Sequence, residues 1–297
     1  MDPLLPFRPV HAVHCLPRGS RACPLSLRHV LAAPGLPRGP IPVVLAPTAP
    51  ALRGALAAAR EAKAVVVLRC PRQLDAARWF DVAAAAAHDL APGHPFVAAA
   101  EVAVEGPGEA AVERAGLEAA RLVEAGLGHL AIDPSAVPSA ERAAAAADVA
   151  ALASDRELGI ELVLTPEESA RPEAGAALVR AFRTRRVELD LARATFVRPA
   201  GEADARAQAR ALAQLARDGR VGAARAGATS STLLTMLAGA PVRACDDGGA
   251  VLAAALRARG DDPRAEALAW SEATAFLDAL GAAGSARALA TQFQAEA

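Results

Sequence analysis

Tyrosine is absent from this 297-residue sequence and aromatic residues make up 3% of it. Lys63 is the single lysine among 32 basic side chains, the rest being arginine. A Schiff-base mechanism therefore has one candidate, and Lys63 reads as the solvated end of a helix. Histidine stops early: His11, His14, His29, His88, His94 and His129 are the whole set. A zinc site drawn from histidines at several strand ends is hard to assemble from that distribution. The four cysteines, Cys15, Cys23, Cys70 and Cys245, form no CxxC pair, and four in a chain of this length do not suggest a disulfide framework. No run of about 18 apolar residues lacks a charge, so no membrane-spanning segment is expected. Prolines and Arg8 interrupt the N-terminal stretch where a signal peptide needs a continuous apolar region. The expectation is a cytoplasmic protein.

Missing motifs narrow the chemistry. No GxGxxG follows the first strand and no GxxxxGKS/T occurs anywhere, which argues against a dinucleotide-binding Rossmann unit and excludes a P-loop. There is no GxSxG, and no Ser, His and acid set can be placed together at strand ends, against a triad hydrolase. Cys70 and Cys245 end strands with no histidine on the same rim to activate them, and read as small buried hydrophobes. His11, His14, Cys15 and Cys23 are zinc-compatible types at a spacing that matches no standard finger.

What the chain does have is 53% hydrophobic residues and a net charge of -1 from 32 basic and 33 acidic side chains. That balance covers the entropy cost of folding and excludes a disordered chain. Interspersed charges without a basic excess also argue against a nucleic-acid binder. The length allows two domains or one barrel.

Eight of the 22 prolines fall in the first forty residues, which read as an irregular lead-in around one helix at 24–33. Beyond it, short β-rich runs alternate with Ala-rich helical stretches, the pattern of βα units on a parallel sheet. Strands are expected at 41–47, 64–70, 95–104, 129–134, 160–165, 187–197, 220–226 and 241–246. Helices are expected at 48–63, 72–91, 108–126, 138–158, 172–184, 202–218, 229–238 and 249–259, with a closing helix at 264–293. Eight such units fit an α/β fold of the (β/α)₈ TIM-barrel type, residues 1–40 forming an extension and 41–297 a single domain.

Active sites of such barrels lie at the C-terminal ends of the strands. Arg69, Glu101, Glu105, Asp133, Glu161, Glu188, Asp190, Arg193, Arg198, Arg225, Asp246 and Asp247 sit on or just after the predicted strands. This mixture suits a small anion, phosphorylated or carboxylated, with arginine forks on the anion and carboxylates on hydroxyls or a divalent metal. RAGATSST (225–232) places Gly227, Thr229 and Ser230 at a helix start after strand seven, where phosphate sites often form; ordinary N-capping explains it equally well.

Several segments resemble the class II, metal-dependent fructose- and tagatose-bisphosphate aldolases. ALRGALAAAREAKAVVVLRC (51–70) is similar to their first helix and second strand. The stretch 110–153, with its Ile-Asp-x-Ser turn at Ile132–Ser135, is similar to their third helix, fourth strand and fourth helix. PLSLRHVL (24–31) and FLDALGAAGSARAL (276–289) resemble the opening and closing helices. The resemblance implies a zinc-dependent aldol cleavage, yet the motifs that carry it differ. VAVEG (102–106) has Val104 and Glu105 where the family has its catalytic Asp and a zinc His. AARAG (223–227) replaces His-Gly-Gly-Ser-Gly, ACDD (244–247) keeps Asp246 without the Asn, and TFVRPAG (195–201) lacks the histidine expected there.

The expectation is a degenerate aldolase-like barrel that serves as a non-catalytic or regulatory subunit, or binds a sugar phosphate. Its partners would be a phosphorylated sugar or similar small anion, a catalytic aldolase subunit, and, by family habit, a second copy of itself. The alternative is an active lyase or isomerase with Glu101, Glu105, Asp133 and Asp246 around a divalent Mg or Zn ion and Arg69, Arg198 and Arg225 as clamps.

Overall fold

The computed structural model describes residues 3–33, 40–153, 157–196, 202–218, 221–225 and 242–296. Among them the strands are β1 (Cys23–Pro24), β2 (Ile41–Leu45), β3 (Val66–Arg69), β4 (Pro95–Ala103), β5 (His129–Asp133), β6 (Gly159–Val163), β7 (Leu191–Phe196), β8 (Val221–Arg225) and β9 (Val242–Asp246). Each of β2 to β8 pairs in parallel with its successor, and β9 pairs back onto β2. The ring is a closed (β/α)₈ barrel. The helices are α1 (Val10–Cys15), α2 (Leu27–Ala32), α3 (Ala49–Ala62), α4 (Ala76–Leu90), α5 (Glu109–Glu124), α6 (Arg142–Ala153), α7 (Pro166–Ala170), α8 (Pro172–Thr184), α9 (Glu202–Asp218), α10 (Ala250–Leu256), α11 (Asp262–Leu280) and α12 (Ser285–Glu296).

Local chemistry sets the helix starts. Thr48 caps α3 by accepting from Ala51 N, Asp75 caps α4 through Arg78 N at 2.8 Å, and Asp261 caps α11 through Arg264 N at 3.1 Å. Thr165 and Glu168 form a capping box that opens α7, a helix the alternation of long elements does not reveal. The expected closing helix is two: Gly281 and Gly284 adopt φ of 63° and 82°, which stops α11 and turns the chain into α12. The strand expected at 187–197 is β7, which begins at Leu191, and α1 is an additional helix in the lead-in. The helix expected at 229–238 lies outside the described residues.

Side-chain alternation splits the core into two layers. Leu68, Phe96, Ala98, Leu130, Ile132 and Ile160 face the helices, while Val43, Val67, Val97, Ala99, Leu191 and Ala244 fill the lumen. The proline-rich lead-in closes the N-terminal end of that lumen. β1 pairs with the start of β4, and Leu27, Val30 and Leu31 of α2 join the lumen cluster together with Leu289 and Phe293 of α12. Arg28 of α2 holds Asp190 through its Nη2 at 3.1 Å and Glu188 at 3.3 Å, which puts both carboxylates just before β7, at the end opposite the expected site.

Helix α3 crosses α11 so closely that Gly54 is a packing requirement. A Cβ there would stand 2.7 Å from Ala269 Cβ, Glu266 O and Trp270 N, and backbone cannot step aside. Gly54→Ala should cost about 1–3 kcal/mol, read as a lower urea midpoint with an unchanged slope.

Candidate functional site

One step beyond the apolar lumen residues, towards the C-terminal end, the same alternation brings charge into the barrel. Val67 is followed by Arg69, Ala99 by Glu101, Leu191 by Arg193 and Ala244 by Asp246, with Glu161 supplied by β6. Barrel layers are ordinarily built from branched apolar side chains; here one layer is ionic. Glu161, Arg193 and Arg69 are 1%, 5% and 9% exposed.

The layer is a connected network. Arg193 pairs with Glu101 through Nη2, reaches Glu161 Oε1 from Nε at 2.7 Å, and stands 3.8 Å from Asp246. Arg69 pairs with Asp246 and lies 3.8 Å from Glu161. Arg72, in the loop after β3, joins Glu101 at 2.7 Å and Asp133 at 2.8 Å. Beneath them the buried His129 shares 2.8 Å with Glu161 through Nε2, and its Nδ1 lies 3.0 Å from Gly159 O.

Burial alone would push the Glu161 carboxyl up, but Arg193, then His129 and Arg69, outweigh it and hold the group down at about 2. The same carboxylates raise the Arg193 guanidinium against its desolvation. Asp133 is held below its usual range although burial opposes this, because Ser135 and Arg72 donate to it. Asp247 goes the other way: burial, then the charge of Asp246 beside it, raises it to about 6 despite hydrogen bonds from Val251, Gly249 and Leu45 N–H groups.

The residues singled out from the sequence therefore separate. Asp133 and Asp246 converge on the network, each engaged by arginine, and Asp246 Oδ1 also accepts from Gly248 N at 2.9 Å. Arg69 is committed to Asp246 and Glu161. Glu105 is exposed, has no ion-pair partner among the described residues, and lines a cavity between β4 and α5 at the edge of the network. Arg225 ends β8, but its side chain, like Arg198, Gly227, Thr229 and Ser230, lies outside the described residues. Arg72 is the member the sequence reading missed, because it belongs to a loop; its position three residues after a lumen-facing arginine is the only signal.

A divalent ion of the kind the aldolase resemblance implies needs three or more His, Cys, Asp or Glu donors on one point. Among the described residues no such group forms. Asp133 and Asp246 point at guanidinium groups, so the donors present do not fit that metal. His11 Nε2 instead lies 2.9 Å from Leu127 O, and Cys15 Sγ bonds Glu124 O and His11 O, so both groups are engaged with backbone carbonyls.

A closed eight-strand parallel barrel with its polar layer at the strand C-termini is the architecture these residues define. Solved structures match its fold, two of them aldolases. The YdjI aldolase of Escherichia coli K12 superposes with a TM-score of 0.64 at 15% identity, over 88% of this chain and 98% of that one. The fructose-bisphosphate aldolase of Campylobacter jejuni superposes with a TM-score of 0.59 at 12% identity, over 87% and 94%. No protein-family model and no curated protein matches the sequence. At these identities the likeness is one of fold.

Proposed function

We propose that this chain is an aldolase-like barrel without metal-assisted carbon–carbon chemistry, acting as a non-catalytic or regulatory subunit or as a sugar-phosphate binder. One observation carries the reading: Asp133 and Asp246, the carboxylates best placed to serve a reaction, are held by Arg72, Arg69 and Arg193. An enediolate stabilised by a Lewis acid needs a multi-donor metal centre, and arginine-locked carboxylates supply neither that centre nor a base. That two structurally similar proteins are aldolases supports an aldolase-type ancestry for the fold.

Among the described residues three arginines face four carboxylates in the network, which leaves no surplus positive charge there for an anion. A phosphorylated sugar or similar small anion would be bound by Arg198 and Arg225 with the Gly227, Thr229 and Ser230 segment. The remaining parts of the reading are a catalytic aldolase subunit or a second copy as partner, and the cytoplasm as location. All four cysteines are free thiols, which suits a reducing compartment. Among the described residues no helix is long and apolar enough to cross a membrane.

The test is retro-aldol cleavage of fructose and tagatose 1,6-bisphosphate with zinc, with magnesium and with neither. The expected rate is that of a protein-free blank in every case. Turnover above the metal-free control overturns the reading in favour of an active lyase.

A further inference from the structure

We propose that the cavity between the outer face of β4 and helix α5 binds a small zwitterion with an aliphatic body, the chemistry of an aliphatic α-amino acid. The cavity, of about 260 Å³, lies at the C-terminal end of β4 and borders the ionic layer through Arg72 and Glu101, which are paired with each other at 2.7 Å. Ligand pockets for drug-sized molecules start near about 300 Å³, so this one suits a ligand of metabolite size.

Its floor is apolar: Val102 and Leu122 are buried and Leu74, 40% exposed, forms a lip. Its mouth carries one charge of each sign, Arg114 from α5 and Glu105 from the loop after β4. Both are exposed, and among the described residues neither side chain has an ion pair or hydrogen bond. Because they line one cavity and yet stand farther apart than the 4.0 Å of an ion pair, a ligand carrying both charges can sit between them. Glu118, on the same rim, is turned to Arg121 at 3.8 Å. Arg72 closes a wall and is held there by Glu101 and Asp133, so it shapes the cavity without offering a free charge.

The chemistry follows from these groups. A guanidinium takes a carboxylate by two parallel N–H bonds, Glu105 takes the ammonium, and the aliphatic body covers Val102, Leu122 and Leu74. A ligand with one charge leaves either Arg114 or Glu105 without its partner. The proposal is independent of the aldolase-like reading, since that reading gives Glu105 and Arg114 no part.

The experiment is calorimetric titration of the full chain with L-leucine, with 4-methylpentanoate, which lacks the amine, and with 3-methylbutylamine, which lacks the carboxylate. Leucine is expected to bind saturably and each analogue about tenfold or more weakly. Arg114→Gln should remove the advantage of leucine over 3-methylbutylamine, and Glu105→Gln its advantage over 4-methylpentanoate. Both side chains are exposed, so an unchanged melting temperature in the absence of ligand checks that the variants are folded. No saturable leucine binding up to about 10 mM, analogues that bind as well as leucine, or folded variants that keep the full discrimination would each overturn the proposal.

Discussion

Glu161→Gln is expected to destabilise the barrel by about 3–5 kcal/mol, because it removes one partner of a buried ionic network and leaves Arg193 and Arg69 short of negative charge. For a chain of this size that is a fall of roughly 6–10 °C in melting temperature. The companion variant separates charge from volume. In Glu161→Leu/Arg193→Met, Glu101 keeps Arg72 and Asp246 keeps Arg69, so every remaining buried charge except that of a protonated His129 has a partner. The double variant should therefore be more stable than either single one, with a coupling energy of about 1–3 kcal/mol in a double-mutant cycle. Additive losses would mean that the network is not a unit.

The pH dependence carries a definite sign. Glu161 titrates near 2 in the folded protein against an ordinary value near 4.5, so its contribution is present above about pH 4.5 and is lost as pH falls towards 2. Urea midpoints measured between pH 6 and pH 3 should show that decline in the native sequence and a flatter line in Glu161→Gln.

Asp247→Ala is the second large effect, about 2–4 kcal/mol. The side chain ties β2 to the start of α10: Oδ1 accepts from Leu45 N at 3.3 Å and Gly249 N at 2.9 Å, and Oδ2 from Val251 N at 3.0 Å. Removing it strands backbone N–H groups, each worth about 1–3 kcal/mol when buried, among them Val251 N in the first turn of the helix that follows β9. Here the pH sign is reversed. With a folded value raised from 3.8 to about 6, the charged form is penalised above pH 6, and stability from this group rises as pH falls from about 6 towards 4. Asp247→Asn should lose that rise while keeping part of the hydrogen bonding. Chemical denaturation at pH 7 and pH 5 distinguishes the three proteins.

Asp247 and Asp246 show how far adjacency in sequence can mislead. The pair reads as two carboxylates at one strand end, yet alternation turns Asp246 into the lumen and Asp247 into the backbone of its own helix start. Glu188 and Asp190 mislead differently: counted as strand residues, they precede β7 and belong to the closed end with Arg28. Glu105 continues the parity of Glu101 but follows the strand, and an exposed loop carries it to the cavity at the network's edge. Arg72 enters the network from a loop, where no periodicity operates.

The eight barrel strands, their order, the described helices between them and several caps are legible because periodicity, helix-stop glycines and N-cap residues act within a few residues of one another. The scarcity of histidine and lysine, and the departures from the aldolase motifs, are legible for the same reason, being properties of residue type. Which charges meet is not. Arg69, Glu101, Glu161, Arg193 and Asp246 come from five strands scattered over almost 180 positions, and their pairing depends on ring closure and on the stagger between those strands. The chain carries the charges by composition; barrel geometry turns them from candidate ligand contacts into partners for one another.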